Sequence, residues 1–293
     1  MVWEYQIWLE MWLGGMAGGA FLSAFLFERF SGGDNKQLLR PAAFLSVPLV
    51  AIALILSLLD LGEPLRFWHM LVVVKPLSPI WIGASLLVPF AGICFLMAIL
   101  WIIEGRMTEE KGKGLRAVIG ILGWINLLIS AVLISYSGVL LSSTNVPLWA
   151  GTDLLPPMFV VSAVATGIAI MLFSSLIYRG AWQIQGKTVS RLAAALPIIL
   201  IIQLVLVGAF IALAGSSSTE GAGEAVKTLT TGSLAIPFWV ILAAFLVSVG
   251  LVAAARGKDI EKKAVRSSIV LSAVCVILGS LLLRAVIVIG GQI

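Results

Sequence analysis

Glu10 and Gln6 lie four residues apart near the start of the first long apolar run, so on a helix they share one face. A carboxyl group inside such a run needs a partner or a protonated state, because an ionised carboxylate is expensive in hydrocarbon. A second set closes the next apolar run: Asp60, then Gly62, Glu63, Pro64, Arg66 and His69. Tyr136 stands in the later half of the fourth run. A tyrosine hydroxyl can donate to a carbonyl, and a carboxyl or imidazole group can relay a proton. A quinone headgroup asks for both, since its two carbonyls need donors and its reduction takes up two protons. Its isoprenoid tail needs an apolar route into lipid, and Phe67 and Trp68 could flank its ring.

Each of these residues also has a plainer reading. The run Asp60-Leu61-Gly62-Glu63-Pro64 can cap one helix and start another, with Arg66 as an ion-pair partner. His69 can be a surface residue, and Tyr136 an anchor at the membrane interface. Arg284, inside the last apolar run, needs an acidic or carbonyl partner and can be purely structural. Asn126, Ser130 and Gln203, nearer the middle of their runs, suit hydrogen bonds between helices.

The elements that must position these side chains follow from composition. Of 293 residues, 60% are hydrophobic and 11% charged, against about 25% charged in a soluble domain. The apolar surplus must face lipid, where one crossing takes roughly 20 apolar residues. Eight spans are predicted, at 7–30, 41–60, 79–103, 115–141, 156–179, 190–214, 235–255 and 267–290. The breakers between them include Ser31-Gly32-Gly33-Asp34, Pro76 to Pro79, Thr144 to Pro157 and 215–233. The piece 65–74 is too short to span and reads as an amphipathic interfacial helix. The first run lacks a basic flank before it and carries Gly14, Gly15, Gly18 and Gly19, which suit helix packing, so it is expected to be retained. The fold class is therefore an all-α integral membrane protein.

Cys94 and Cys275 sit inside apolar runs and read as packing residues. Two cysteines and one histidine fall short of the ligands of an iron–sulfur cluster or a bis-histidine haem, so no metal centre is expected in this protein. Lysine and arginine fall unevenly between alternate loops: fifteen of the nineteen follow spans one, three, five and seven. Arg66, Lys75, Lys227 and Arg284 make up the other set. The basic loops are expected in the cytoplasm and both termini outside, as in a prokaryotic plasma membrane protein. The net charge of +5 then reflects loops meeting anionic lipid, not nucleic acid.

A faint duplication relates Gly15-Met16-Ala17-Gly18-Gly19-Ala20-Phe21 to Ala163-Val164-Ala165-Thr166-Gly167-Ile168-Ala169, 148 residues on. It predicts two four-helix bundles, 1–141 and 156–293, joined by an outer loop 142–155 and related by an axis along the membrane normal.

The string Leu59-Asp60-Leu61-Gly62-Glu63-Pro64-Leu65-Arg66-Phe67-Trp68-His69, with Pro79 beyond it, resembles the segment after the second helix of the NrfD family, the polysulfide reductase membrane subunits. Three further stretches are similar in the same order: Leu13 to Gly19, Tyr136-Ser137-Gly138 with Val146-Pro147-Leu148-Trp149, and Leu283-Arg284 through Gly291-Gln292. The resemblance implies an eight-helix respiratory-chain oxidoreductase subunit that exchanges electrons between menaquinone or ubiquinone and an external iron–sulfur protein. That protein would serve a catalytic subunit, often of the molybdopterin type. In the family pattern a tyrosine of helix four and two polar residues of helix one hold the quinone. Tyr136 matches the tyrosine, while Gln6 and Glu10 stand where the pattern has an asparagine and a histidine. The candidate set is thus Tyr136, Glu10, Gln6 and Arg66 for the quinone, with Asp60 and His69 for proton transfer. The competing readings are a secondary transporter, disfavoured because the polar cluster is peripheral and the repeat parallel, and a passive anchor, which leaves Glu10 and Tyr136 unused.

Overall fold

The computed structural model describes residues 4–30, 38–61, 63–75, 78–177, 186–217, 219–260 and 262–293. Ser31 to Asp34, Gly62 and Pro76, named above, and Lys36 and Arg179, two of the fifteen basic loop residues, lie outside the described residues. The helices are α1 Tyr5–Phe30, α2 Leu39–Asp60, α3 Phe67–Val72, α4 Pro79–Glu104, α5 Glu109–Ser142, α6 Pro147–Ala150, α7 Leu155–Ile177, α8 Gly186–Gly215, α9 Ala222–Thr230, α10 Ala235–Ala255 and α11 Lys263–Gly290. A 3-10 turn, Pro64–Arg66, leads into α3. Eight of the helices, all but α3, α6 and α9, are long and apolar enough to cross a bilayer, and no strand occurs among the described residues. The expected all-α membrane architecture is the one observed.

The spans pack as two rings of four. In the first, α1 touches α2, α2 touches α4, α4 touches α5 and α5 returns to α1; α7, α8, α10 and α11 repeat the circuit. The rings meet through α1 on α7, with α5 on α7 and α1 on α11 flanking that contact. In lipid no hydrophobic force draws two apolar helices together, so close contact depends on small residues that let backbones approach. A Cβ on Gly19 would collide with the Ala163 carbonyl, and one on Gly167 with the backbone of Gly19 and Ala20. Gly19 and Gly167 are equivalent positions of the faint duplication, separated by its 148 residues. The two related segments therefore cross on each other at the centre of the molecule. Residues 11–25 of α1 are almost wholly buried there.

Polar bonds fix other contacts. The Ser46 hydroxyl of α2 donates to the Ala17 carbonyl of α1 at 3.1 Å. At the first turn of α2, which lacks a side-chain cap of its own, the Leu39 N–H donates to the Glu28 carboxylate of α1 at 2.8 Å. A negative group at a helix N-terminus satisfies an otherwise unpaired donor and opposes the positive end of the helix dipole. Glu104 pairs with Arg116 at 2.9 Å and ties the end of α4 to the start of α5.

The observed helices run past several predicted ends. The fourth span begins at Glu109 instead of 115 and the eighth at Lys263 instead of 267. Apolar content marks only the part of a helix that lipid covers, whereas glutamate and lysine continue the helix into water. Two helices fall where only breakers were expected. The first is α6, within 144–157, which buries Leu148 and Trp149. The other is α9, within 215–233, whose Ala222, Val226 and Leu229 are buried on one face while Glu224 and Lys227 pair at 2.7 Å on the other. The predicted interfacial helix at 65–74 is shorter, a 3-10 turn followed by the two turns of α3.

Candidate functional site

A cavity of about 210 Å³ opens between α1, α2, α4 and α5, with Phe67 of α3 at its edge. Four pairs of wall residues follow helical spacing: Gln6 and Glu10, Ser57 and Asp60, Gly83 and Leu87, Tyr136 and Leu140. Gln6 and Glu10 come from the first turns of α1 and Gly83 from the second turn of α4, while Ser57 and Asp60 end α2 and Tyr136 lies near the end of α5. Alternating helix directions bring those ends to one side of the molecule. The remaining wall is almost entirely apolar, including Leu54, Leu58, Ala84 and Val88. An apolar pocket with a few convergent polar groups is the usual form of a small-molecule site, although this volume is below the roughly 300–1,000 Å³ of a drug-sized ligand. It is in scale with one ring.

The polar groups face one another. Asp60 and the Tyr136 hydroxyl are the ionisable neighbours of the Glu10 carboxyl, and Ser57 lines the same wall. The Ser57 hydroxyl donates to the Ala53 carbonyl of its own helix at 3.0 Å, which leaves its oxygen lone pairs as acceptors. The Gln6 side-chain oxygen is buried without a hydrogen-bond partner, a state that a buried amide rarely keeps unless a ligand or water meets it. Gly83 makes room for the tyrosine: a Cβ there would fall on the Tyr136 ring and hydroxyl.

Gln6, Glu10, Asp60 and Tyr136 are thus brought together, and Arg66 and His69 are not. Arg66 is exposed and pairs with Glu63 at 3.0 Å, not with Asp60. Such a surface pair contributes about 0–1 kcal/mol. His69 is exposed and rests against Trp68, with ring centroids 3.7 Å apart. Of the wall residues that the sequence reading passed over, Ser57 and Gly83 bear on the polar groups; the others are apolar. Ser57 carries a usable signal, being three residues before Asp60 on the same helical face. Gly83 carries none, because nothing near it in sequence announces Tyr136.

Other polar residues of the spans have different partners. Asn126 of α5 donates to the Cys94 sulfur of α4 at 3.2 Å, the interhelical bond expected of it. Ser130 instead donates to the Leu127 carbonyl of its own helix at 2.8 Å. Both side-chain polar atoms of the buried Gln203 lack partners. Arg284 is 1% exposed. In place of an acidic or carbonyl partner it has the hydroxyls of Ser280 and Ser162, at 2.9 and 3.2 Å, and the face of Phe159, whose centroid is 5.2 Å away. No group of three or more potential metal-ligating side chains occurs among the described residues.

The family model described as Polysulphide reductase, NrfD, matches residues 1–293. The protein belongs to the NrfD family. It is 25% identical to the C subunit of polysulfide reductase from Wolinella succinogenes over 307 residues, covering 100% of the present sequence and 95% of that protein. It is 24% identical to protein NrfD of Escherichia coli over 197 residues, 60% of each sequence. The NrfD-like stretches of the sequence meet in space. Leu13 to Gly19 runs into the crossing of α1 on α7, and Tyr136 reaches the cavity. The indole of Trp149 donates to the Ile287 carbonyl at 2.8 Å and lies where a Cβ on Gly291 would be, so the loop motif locks onto the end of α11.

Proposed function

We propose that this NrfD-family protein is the quinone-reactive membrane subunit of a respiratory oxidoreductase complex. It exchanges electrons between the membrane quinone pool, menaquinone or ubiquinone, and an iron–sulfur subunit on the outer face. That subunit in turn serves a catalytic subunit of the molybdopterin or another type. The observation that carries the reading is the convergence of Gln6, Glu10, Asp60 and Tyr136 on one otherwise apolar cavity. Membership of a family whose relatives include a polysulfide reductase subunit supports the redox assignment.

The residues present fit a quinone ring. Tyr136 offers a hydroxyl donor to a carbonyl, and the room left by Gly83 sets where that hydroxyl lies. The unpartnered Gln6 amide offers a second polar contact. Its oxygen accepts a hydrogen bond, and rotation of the amide would present its N–H₂ to a carbonyl instead. When bound, the quinone supplies the two-electron, two-proton chemistry. Glu10 holds or releases a proton beside it, with Ser57 on the same wall. A carboxylate only accepts hydrogen bonds, so Glu10 donates to a carbonyl in its protonated form alone. Asp60, on the cavity wall at the end of α2, is the next proton carrier toward water. His69 and Arg66, exposed on the mouth segment, would act outside the pocket.

The cavity lies at the helix ends opposite the basic loops, and the charge bias supports an outer-face position in a prokaryotic plasma membrane, with both termini outside. Tyr136→Phe and Glu10→Gln, each in the assembled complex, should lower quinone-coupled turnover at least tenfold, and by as much as roughly 10²–10⁴-fold where the lost group carries the proton. Dye-linked activity of the catalytic subunit should stay intact. Full quinone activity in both variants would remove these residues from the site.

A further inference from the structure

A second cavity, of about 290 Å³, lies at the opposite end of the molecule between α8, α10 and the start of α11. Small residues on facing helices form part of its wall, beside isoleucines and valines. Ala193, Ala194 and Pro197 of α8 stand across from Val249 and Ala253 of α10. Side chains this short leave a gap between helices that neither helix fills. Pro197 adds to it, since a proline ring inside a helix displaces the carbonyl four residues earlier, here that of Ala193. On the side away from the core, Ile198 and Ile201 of the same wall are 63% and 52% exposed, so the gap opens toward the surrounding lipid.

The rim has the opposite character. Arg256 and Lys258 line the cavity just past the end of α10. Both are exposed. Gly257 between them takes a left-handed φ of 73°, so the backbone turns sharply there and keeps both cations at the cavity mouth. Lys262, Lys263 and Arg266 follow at the start of α11. Asp259, in the same turn, is acidic, and by sequence the segment 256–266 has five basic residues against two acidic ones. An apolar slot open to lipid, topped by a pair of cations, has the two-part chemistry of one kind of molecule.

We infer that this cavity binds an anionic glycerophospholipid, its phosphate on Arg256 and Lys258 and one acyl tail in the slot between α8 and α10. Basic pockets between spanning helices are known to hold anionic headgroups. A quinone ring would find Ser190 as the single uncharged polar side chain of the wall, and a free anion would leave the apolar slot unused. The lipid would fill the gap that the alanines leave and bridge the two helices at the end of the second ring.

The test is native mass spectrometry of the purified full-length protein, titrated with phosphatidylglycerol, with phosphatidylcholine of the same acyl composition, and with inorganic phosphate. Phosphatidylglycerol should give one saturable adduct that the other two do not displace. Arg256→Gln combined with Lys258→Gln should weaken it roughly thirtyfold, the effect of two basic residues near a lipid headgroup. Ala194→Phe, which fills the slot and keeps both charges, should weaken it as well. Unchanged thermal melting of the double variant shows that the loss is local. Equal binding of the two lipids, an unaltered phosphatidylglycerol adduct in the double variant, or inorganic phosphate binding as tightly as the lipid would each overturn the assignment.

Discussion

Gly83 is the residue on which the geometry around Tyr136 depends most directly. Because a Cβ there would fall on the phenol, Gly83→Val must push the ring aside or force α4 away from α5. Overpacking of this kind costs typically about 1–3 kcal/mol. Gly92 of the same helix has nothing within 4 Å of an added Cβ, so Gly92→Val is the matched control. Quinone-coupled turnover should fall at least tenfold in the first variant and by less than twofold in the second, at similar amounts of folded protein. The same geometry ranks the other candidates. Asp60 lines the cavity and His69 does not, so Asp60→Asn should depress turnover more than His69→Ala. The sequence singled out Gln6, Glu10, Asp60 and Tyr136 because ionisable or donor groups near the ends of apolar runs are conspicuous. It could not separate these from Arg66 and His69, since side-chain direction in the short mouth segment depends on a 3-10 turn that no periodicity announces.

At the level of the helices, the contact of α1 on α7 holds the two rings together through backbone approach at Gly19 and Gly167. Gly167→Leu should therefore lower the melting temperature of the detergent-solubilised protein by several degrees, or stop it accumulating. Gly208→Leu, on the open side of α8 where an added Cβ meets nothing within 4 Å, should leave melting within about a degree. Equal effects would mean that the crossing is not the close contact described. The long spans were legible because lipid demands runs of apolar residues. The loop helices α6 and α9 were not, for opposite reasons. α6 is one turn held by tertiary contact of Trp149 with the end of α11, and α9 has a helical pattern hidden among glycine, serine and threonine. Trp149→Phe removes the bond to the Ile287 carbonyl and should cost about 1 kcal/mol, readable as a small drop in melting temperature.

Across the whole molecule, the polar cavity and most of the basic residues separate to opposite ends. The cavity with Glu10, Asp60 and Tyr136 lies at one end, and Arg40, Arg106, Arg116 and Arg256 lie on loops or helix ends at the other. This separation was readable from the alternation of charged loops, and so was a pocket between the first, second and fourth spans; the wall that α4 adds through Gly83, Ala84 and Leu87 was not. A reporter active only outside the cytoplasm should be active when fused after residue 293 and silent when fused at Thr108. The reverse pattern would invert the proposed placement of the iron–sulfur partner. Binding of quinone between α1, α2, α4 and α5 is the point on which the proposed function rests. Photolabelling of the full-length protein with a photoreactive quinone analogue, followed by peptide mapping, tests it most directly. Label is predicted on the start of α1 around Gln6 and Glu10 and on α5 around Tyr136, abolished by excess unlabelled quinone. Competable label confined to α8, α10 or α11 would contradict it.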